Sequence, residues 1–113
     1  MTDCIFCKIV NGDIPCKKVY ENDDVLAFYD IAPKAPTHVI VVPKVHVANF
    51  LEAADKPEVL NALALAVKAI TEELGVAESG FRLVTNIGKN GGQSVLHLHY
   101  HILAGREFGE NFG

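Results

Sequence analysis

The stretch His97-Leu98-His99-Tyr100-His101-Ile102-Leu103 decides how the rest of the chain is organised. Histidine alternates in it with large apolar residues, and a period of two is typical of a β-strand with one buried face. Because successive strand side chains point to opposite sides, the three histidines share one face, about 6.6 Å apart, and the apolar residues face a core. One strand histidine is usually a half-buried, hydrogen-bonded side chain, but three in register predict a functional site.

A glycine-rich run, Gly88-Lys89-Asn90-Gly91-Gly92-Gln93-Ser94, leads straight into this strand. Glycines let the backbone approach a ligand closely, and successive N–H groups in such a loop can bind an anion. The hydroxyl of Ser94 and the amide of Asn86 are further donors. Most glycine-rich hairpin loops bind nothing, so the prediction of a phosphate site depends on the histidines that follow.

Imidazole can attack phosphorus, exchange protons near neutral pH and donate hydrogen bonds to phosphate oxygens. His38, at the start of another predicted strand, is a candidate to support a catalytic ring, although alone it would be interpreted as a histidine bonded to a backbone carbonyl. Alternating strand histidines can also bind a catalytic zinc ion. The pattern therefore leaves two chemistries open, nucleophilic catalysis and a metal site.

Cys4 and Cys7 form a Cys-x-x-Cys pair, a typical half-site for structural zinc. Tetrahedral coordination needs two more ligands, and His46 and His97 are the available candidates. Two buried thiols in a short helix are an equally good interpretation of the pair. Cys16 has no partner in the sequence and is expected to pack as a small apolar residue.

Hydrophobic periodicity predicts an α+β fold. Besides the histidine strand, strands are predicted over residues 18–21, 25–30, 38–42 and 81–86. A short helix is expected over residues 4–10, and a long helix with Asp55 as its N-cap ends at Gly75. Strands that come mostly in adjacent pairs, with one long helix inserted, favour an antiparallel sheet with helices on one side.

The composition predicts one domain, because 113 residues can bury a core without disulfide bonds. The net charge of -4 argues against a nucleic-acid-binding protein, which would carry a basic patch. No apolar run reaches the ~20 residues that span a bilayer, and the first residues lack a signal-peptide pattern. Three cysteines cannot all pair, which favours a reducing, cytoplasmic location.

The histidine stretch resembles the H-φ-H-φ-H-φ-φ signature of the histidine triad (HIT) superfamily, where φ is apolar. Similarity to its Hint branch extends over residues 4 to 106. The other matching segments are Ile5-Phe6, Ile14-Pro15, Leu26-Ala27-Phe28, Asp30-Ile31, Ala35-Pro36-Thr37-His38, Ile40, Pro43-Lys44 and Gly91-Gly92-Gln93-Ser94-Val95. The Cys-x-x-Cys pair is similar to that of many bacterial members.

The resemblance implies a single HIT domain over residues 1–113, with a core at 4–106 and a tail at 107–113. It implies a five-stranded antiparallel sheet that continues into the sheet of a second copy in a homodimer. The implied activity is that of a purine nucleoside phosphoramidase or nucleotide hydrolase. Such an enzyme acts on AMP or GMP conjugates and releases a nucleoside monophosphate through a nucleotidyl-histidine intermediate.

The resemblance also assigns roles. His99 would be the nucleophile, His101 would contact the scissile phosphate and the leaving group, and His38 would support the catalytic ring. Ser94 would complete the catalytic set and line the phosphate site with Asn86, Gly92 and Gln93. The ribose would lie against Asp30, Phe28 and Ile31, and the base among Ile5, Phe6, Ile9 and Ile14.

One structural zinc per chain is implied on Cys4, Cys7, His46 and His97, with no catalytic metal or organic cofactor. The tail from Arg106 lacks the tryptophan and prolines common in Hint tails, which leaves the leaving-group preference open. Two alternative functions remain at this stage. One is a nucleotide-binding regulatory or scaffold dimer with incidental hydrolysis, and the other is a metal-dependent hydrolase that uses the histidine row as ligands.

Overall fold

The computed structural model describes residues 4–112 and has the predicted α+β class. Within these residues, no helix is both long and apolar enough to cross a bilayer. In chain order the elements are α1 (Ile5–Val10), β1 (Lys18–Glu21), β2 (Val25–Tyr29), β3 (Thr37–Pro43), α2 (Phe50–Ala53), α3 (Pro57–Glu73), β4 (Arg82–Val84) and β5 (Tyr100–Ala104).

The five strands form one sheet in the order β1-β2-β3-β5-β4, and every neighbouring pair is antiparallel. The strand that begins near His38 is the central one, as its run of β-branched residues predicts. It pairs with β5 so that Ile40 lies opposite His101 and His38 lies opposite Leu103. The two strands that carry histidines are therefore direct neighbours.

Side-chain alternation divides the sheet into two faces, each with its own apolar cluster. On one face α3 packs against the alternate residues Val39 and Val41 of β3, together with the predicted core residues Leu98, Tyr100 and Ile102. The other face carries Leu26, Phe28, Ile40 and Val42, and Phe6 of α1 packs against them. The prediction of helices on one side is therefore wrong, because the apolar residues of α1 pack on the face opposite α3. His38 directly precedes Val39 in β3, so its side chain points to this second face. The candidate site described below lies on the same face.

The long helix begins later than predicted. Asp55 is not its N-cap; Lys56 holds that position without a side-chain hydrogen bond, and Pro57 is the first helical residue. Proline fixes the helix start because its ring presets φ and its missing N–H needs no partner there. The short helix α2 was not predicted, although its capping pattern is in the sequence: Asn49 accepts a hydrogen bond from the backbone N–H of Glu52 at 3.1 Å.

The histidine strand also begins later than predicted, at Tyr100 rather than at His97. The residues before Tyr100 make their hydrogen bonds outside the strand ladder. The N–H of Leu98 donates to the carbonyl of Val47 at 2.8 Å, and the hydroxyl of Thr85 donates to the carbonyl of His99 at 2.9 Å. Non-local partners therefore end the ladder, although the apolar side chains still face the core.

Candidate active site

Three histidines and one carboxylate meet on the α1 side of the sheet. The rings of His99 and His101 have centroids 5.1 Å apart, and the same distance separates His101 from His38. A carboxylate oxygen of Asp30 lies 3.5 Å from Nε2 of His38. Phe6, on α1, packs edge-on against His99 with centroids 4.9 Å apart.

Hydrogen bonds fix which nitrogen of each ring carries the proton. The backbone N–H of Lys34 donates to Nδ1 of His38 at 3.0 Å, so the proton of neutral His38 is on Nε2. That Nε2–H donates to Nδ1 of His101 at 2.8 Å, which leaves His101 with a free Nε2–H donor. In His99, Nδ1–H donates to the carbonyl of His97 at 2.8 Å. The Nε2 lone pair of His99 is therefore available for nucleophilic attack.

Burial keeps these histidines neutral in the folded protein. It lowers the pKa of His99 and of His38 below the usual 6.5, because the charged imidazolium loses hydration. The pKa of His101 falls to about 4, first through burial and then through the nearby His99 and His38. A neutral imidazole is the form that a nucleophile requires, so burial favours the form of His99 that a nucleophilic role would need.

Lowering the pH from 6.5 to 4 is expected to destabilise the fold through His101. In the unfolded chain its pKa is close to 6.5, whereas in the folded chain it is about 4. The unfolded chain binds more protons in this window, so stability present above pH 6.5 is lost as the pH falls toward 4. Denaturant titrations at several pH values measure the effect. His101→Gln should show a shallower decline than wild type, and equal slopes would contradict the lowered pKa.

Two cavities are lined by both His99 and His101. The apolar cavity, of about 450 Å³, contains all residues predicted for the base and sugar: Ile5, Phe6, Ile9, Ile14, Phe28, Asp30 and Ile31. The cationic cavity, of about 540 Å³, is lined by Lys34, Arg82, Arg106, Asn86, Gly92, His38 and part of the tail. Both cavities share four lining residues: Asp30, Ser94, His99 and His101. A group bound at this shared wall therefore has access to both spaces.

Several lining residues of the apolar cavity were missing from the sequence prediction. They are Pro15, Cys16, Lys17, Tyr29, Ile40 and Val95. Ile40 was detectable, because strand alternation puts it on the same face as His38. The tail residues Phe108 and Phe112 on the cationic cavity had no comparable local signal.

Gln93 and Asn86, both predicted to line the phosphate site, use their side chains in hydrogen bonds to the backbone. The amide N–H groups of Gln93 donate to the carbonyls of Ala48 at 2.7 Å and Val95 at 3.0 Å, and its oxygen accepts from the N–H of Gly88 at 2.9 Å. The amide of Asn86 likewise donates to the carbonyl of Gly91 at 2.7 Å. Both side chains hold the shape of the loop beside Ser94.

Gly91 is expected to tolerate no side chain. A Cβ there would lie 2.3 Å from the backbone oxygen of Ile87, so Gly91→Ala should lower the free energy of unfolding by about 1–3 kcal/mol. Gly88→Ala is the matched control, because Gly88 has a φ of +70° but open space around it. The control should cost about 1 kcal/mol, near the lower end of the cost of a left-handed alanine, because nothing lies within 4 Å of its Cβ. Chemical denaturation of both variants measures the difference, and equal costs would show that the loop relaxes.

A second cluster brings together the four predicted metal ligands, Cys4, Cys7, His46 and His97. Nδ1 of His97 lies 3.4 Å from Sγ of Cys4 and 3.5 Å from Sγ of Cys7. Nδ1 of His46 lies 3.2 Å from Sγ of Cys7 and 3.1 Å from Nδ1 of His97. Four donor atoms from three separate segments thus converge on one point.

The geometry of this cluster fits a tetrahedral metal ion. Zinc bound at about 2.3 Å from sulfur and 2.0–2.1 Å from nitrogen separates the nitrogens by roughly 3.3 Å and sulfur from nitrogen by roughly 3.5 Å. The observed separations, 3.1 Å and 3.2–3.5 Å, agree with these values. Nε2–H of His97 donates to the carbonyl of Pro43 at 2.9 Å, which directs the Nδ1 lone pair to the cluster.

Asp30, His38 and His101 form another group of donor atoms close enough to bind a metal ion. Its hydrogen bonds favour a different role. Both nitrogens of His38 are engaged, one by Lys34 and the other by His101. A metal ion would have to break this arrangement, so the group is better described as a hydrogen-bonded relay.

Comparison with known proteins adds family evidence to this geometry. The HIT domain model matches residues 11–108. A purine nucleoside phosphoramidase from Escherichia coli (strain K12) is 39% identical over 108 residues, covering 95% of this chain and 91% of that protein. A histidine triad protein from Clostridium difficile superposes with a TM-score of 0.93 at 47% identity, covering 100% of this chain and 98% of that chain. A HIT family hydrolase from Clostridium thermocellum gives a TM-score of 0.93 at 42% identity, with coverages of 98% and 97%.

Proposed function

Since the chain belongs to the HIT domain family, we propose that it hydrolyses purine nucleoside phosphoramidates through a nucleotidyl-histidine intermediate on His99. One observation carries the proposal. Nδ1 of His99 is held by the carbonyl of His97, which leaves Nε2 as a free nucleophile on a wall shared by two cavities. The phosphoramidase activity of the Escherichia coli relative supports the choice of substrate.

The proposed reaction has two displacements at phosphorus. First, the Nε2 lone pair of His99 forms a bond to phosphorus, and the bonding pair of the scissile P–N bond leaves with the substrate nitrogen. That nitrogen takes a proton delivered from solvent through His101 and departs as an amine. Water then attacks phosphorus, His99 leaves with its electron pair, and the proton of water returns to solvent through His101. One water is consumed for each P–N bond cleaved.

The surrounding residues supply binding and orientation. The apolar cavity offers Ile5, Ile9 and Ile14 to a flat base, and a carboxylate, that of Asp30, to a ribose diol. Ser94 and the backbone of the glycine loop offer donors to the phosphate oxygens. His38 holds His101 in the tautomer that presents Nε2–H, so its role is positioning.

We assign the Cys/His cluster to one structural zinc ion per chain. All four ligands come from the protein, which leaves no open position for water or substrate, so the ion would contribute stability and not chemistry. Cys4 is the N-cap of α1 and Cys7 lies within that helix. The ion would therefore attach α1, with its cavity-lining residues Ile5 and Ile9, to the sheet.

A homodimer through the β4 edge is part of the proposal. The other edge, β1, is protected by charges, since Lys18 and Lys44 both pair with Glu21. On β4, Leu83 is 48% exposed. Light scattering at micromolar concentration should give a dimer, and Leu83→Glu should shift it toward monomer. The control Leu51→Glu, at an exposed position on α2, should stay dimeric. A wild-type chain that is fully active as a monomer would contradict the proposed homodimer.

The direct test of function is incubation with adenosine and guanosine phosphoramidates and with dinucleotides, following release of the monophosphate. Turnover of the phosphoramidates is the expected result. Binding of these nucleotides without turnover of any of them would favour the nucleotide-binding scaffold. Turnover that stops when metal is removed from protein that remains folded would favour the metal-dependent hydrolase.

A further inference from the structure

The cationic cavity concentrates positive charge in an acidic protein. The chain has a net charge of -4 and ten lysines and arginines in all. Three of those ten, Lys34, Arg82 and Arg106, line this one cavity. They come from three different parts of the chain: the loop before β3, strand β4 and the segment after β5.

Within residues 4–112, none of these three cations forms a salt bridge with a carboxylate. Their hydrogen bonds go to backbone oxygens instead. Lys34 donates to the carbonyl of Ala32 at 3.3 Å, and Arg82 donates to that of Gly109 at 2.9 Å. A carbonyl satisfies a donor without neutralising its charge, so the cavity keeps its attraction for an anion.

The tail holds two of these charges in place. The guanidinium carbon of Arg106 lies 4.3 Å from the centroid of the Phe108 ring, and that of Arg82 lies 5.1 Å from the same centroid. Both distances are within the range of cation–π attraction. The tail of this chain therefore lies at the chain's own histidine site, where Phe108 orders the two guanidinium groups.

The position of the cavity relates it to the reaction. In a displacement at phosphorus the attacking and leaving atoms are roughly in line, so the leaving group lies on the far side of phosphorus from His99. With the nucleoside in the apolar cavity and phosphorus at the shared wall, the other cavity lined by both His99 and His101 is the cationic cavity. Among the described residues that line this cavity, Asp30 is the one acidic side chain, and it is already engaged by His38 and by the N–H of Ala32.

We propose that the cationic cavity is the leaving-group site and that it selects leaving amines bearing a second anionic group, a carboxylate or a phosphate. This inference rests on the proposed phosphoramidate hydrolysis and adds to it the class of leaving group. Lys34 and Arg106 would attract the anionic group. Arg82 and Phe108 would shape the site around it.

Four adenosine phosphoramidates with alkylamine leaving groups of similar length test the preference: conjugates of 4-aminobutyrate, 4-aminobutyramide, 1,4-diaminobutane and 3-aminopropyl phosphate. They share the nucleoside and the P–N bond and differ in the terminal charge. At low ionic strength kcat/KM for each anionic conjugate should exceed that of the neutral amide about tenfold, and the diamine conjugate should be slowest. Salt should reduce the preference, and the two anionic conjugates compare carboxylate with phosphate.

Charge-removing variants locate the effect. Lys34→Gln and Arg106→Gln, both at exposed positions, should each reduce the ratio of kcat/KM between anionic and neutral conjugates by about two- to threefold, and the double variant should reduce it further. Lys56→Gln is the matched control, because it removes an exposed charge outside both cavities and should leave the ratio unchanged.

The outcomes separate the two proposals. Hydrolysis of all four conjugates at equal rates, or fastest hydrolysis of the diamine conjugate, would overturn the anionic preference while leaving phosphoramidase activity intact. An equal loss of preference in Lys56→Gln would overturn the assignment to this cavity. No turnover of any conjugate would overturn the proposed function and, with it, the leaving-group site.

Discussion

Replacing His99 with alanine should lower kcat/KM for a nucleoside phosphoramidate by about four orders of magnitude or more, which is the size of loss seen when a covalent nucleophile is removed. The reason is specific to its geometry. His99 combines a fixed tautomer with a free Nε2, whereas His38 has both nitrogens bonded and His101 presents a proton instead of a lone pair.

Nucleotide affinity in the same variant should stay within about tenfold of wild type, because the apolar cavity and the glycine loop supply ground-state binding. Loss of the ring also removes its packing against Phe6, so His99→Asn serves as a second variant that keeps part of the volume. Equilibrium binding of the nucleoside monophosphate and a melting curve separate a chemical defect from a folding defect.

Trapping the intermediate tests the role itself. Acid-labile label from a nucleotide-labelled substrate should appear on wild-type protein and be absent from both His99 variants. In His101→Ala, label should still accumulate, although more slowly, because the nucleophile is intact. Label retained at wild-type levels in His99→Ala would show that another residue is the nucleophile.

Removal of one metal ligand should have the second largest effect, on stability. Purified protein should contain about one zinc per chain, and Cys7→Ser should lose the ion and melt at a temperature lower by on the order of 10 °C. Structural zinc sites contribute folding free energy directly, because the unfolded chain has no preformed site. Below its melting temperature the variant should retain a substantial part of its turnover, because no ligand belongs to the proposed catalytic set.

Cys16→Ser provides the matched control. It removes the third cysteine, which is outside the cluster, and should keep a full complement of zinc. Chelation of wild-type protein should reproduce the melting shift of Cys7→Ser. A purified wild-type protein with no zinc would contradict the assignment, as would zinc content that is equal in Cys7→Ser and Cys16→Ser.

Patterns between near neighbours in the chain were sufficient to predict much of the fold. The run of β-branched residues and the side-chain alternation of a strand predicted the central strand and which of its residues share a face. The apolar spacing in the long helix predicted the stripe of side chains that packs on the sheet. These features depend on the backbone period, which the sequence expresses directly. The prediction was wrong where a residue forms a hydrogen bond with a distant segment of the chain. At the start of β5, the N–H of Leu98 donates to the carbonyl of Val47.

The sequence by itself determined which chemical groups are present: a row of imidazoles, a glycine loop and two cysteines two residues apart. Only the tertiary structure decided what each group can do. The partners that set the tautomers and cluster the ligands are far apart in the chain, 63 residues for His38 and His101 and 93 for Cys4 and His97. Burial, which lowers the histidine pKa values, and the cationic cavity likewise arise from packing between distant segments, and no local pattern encodes that packing.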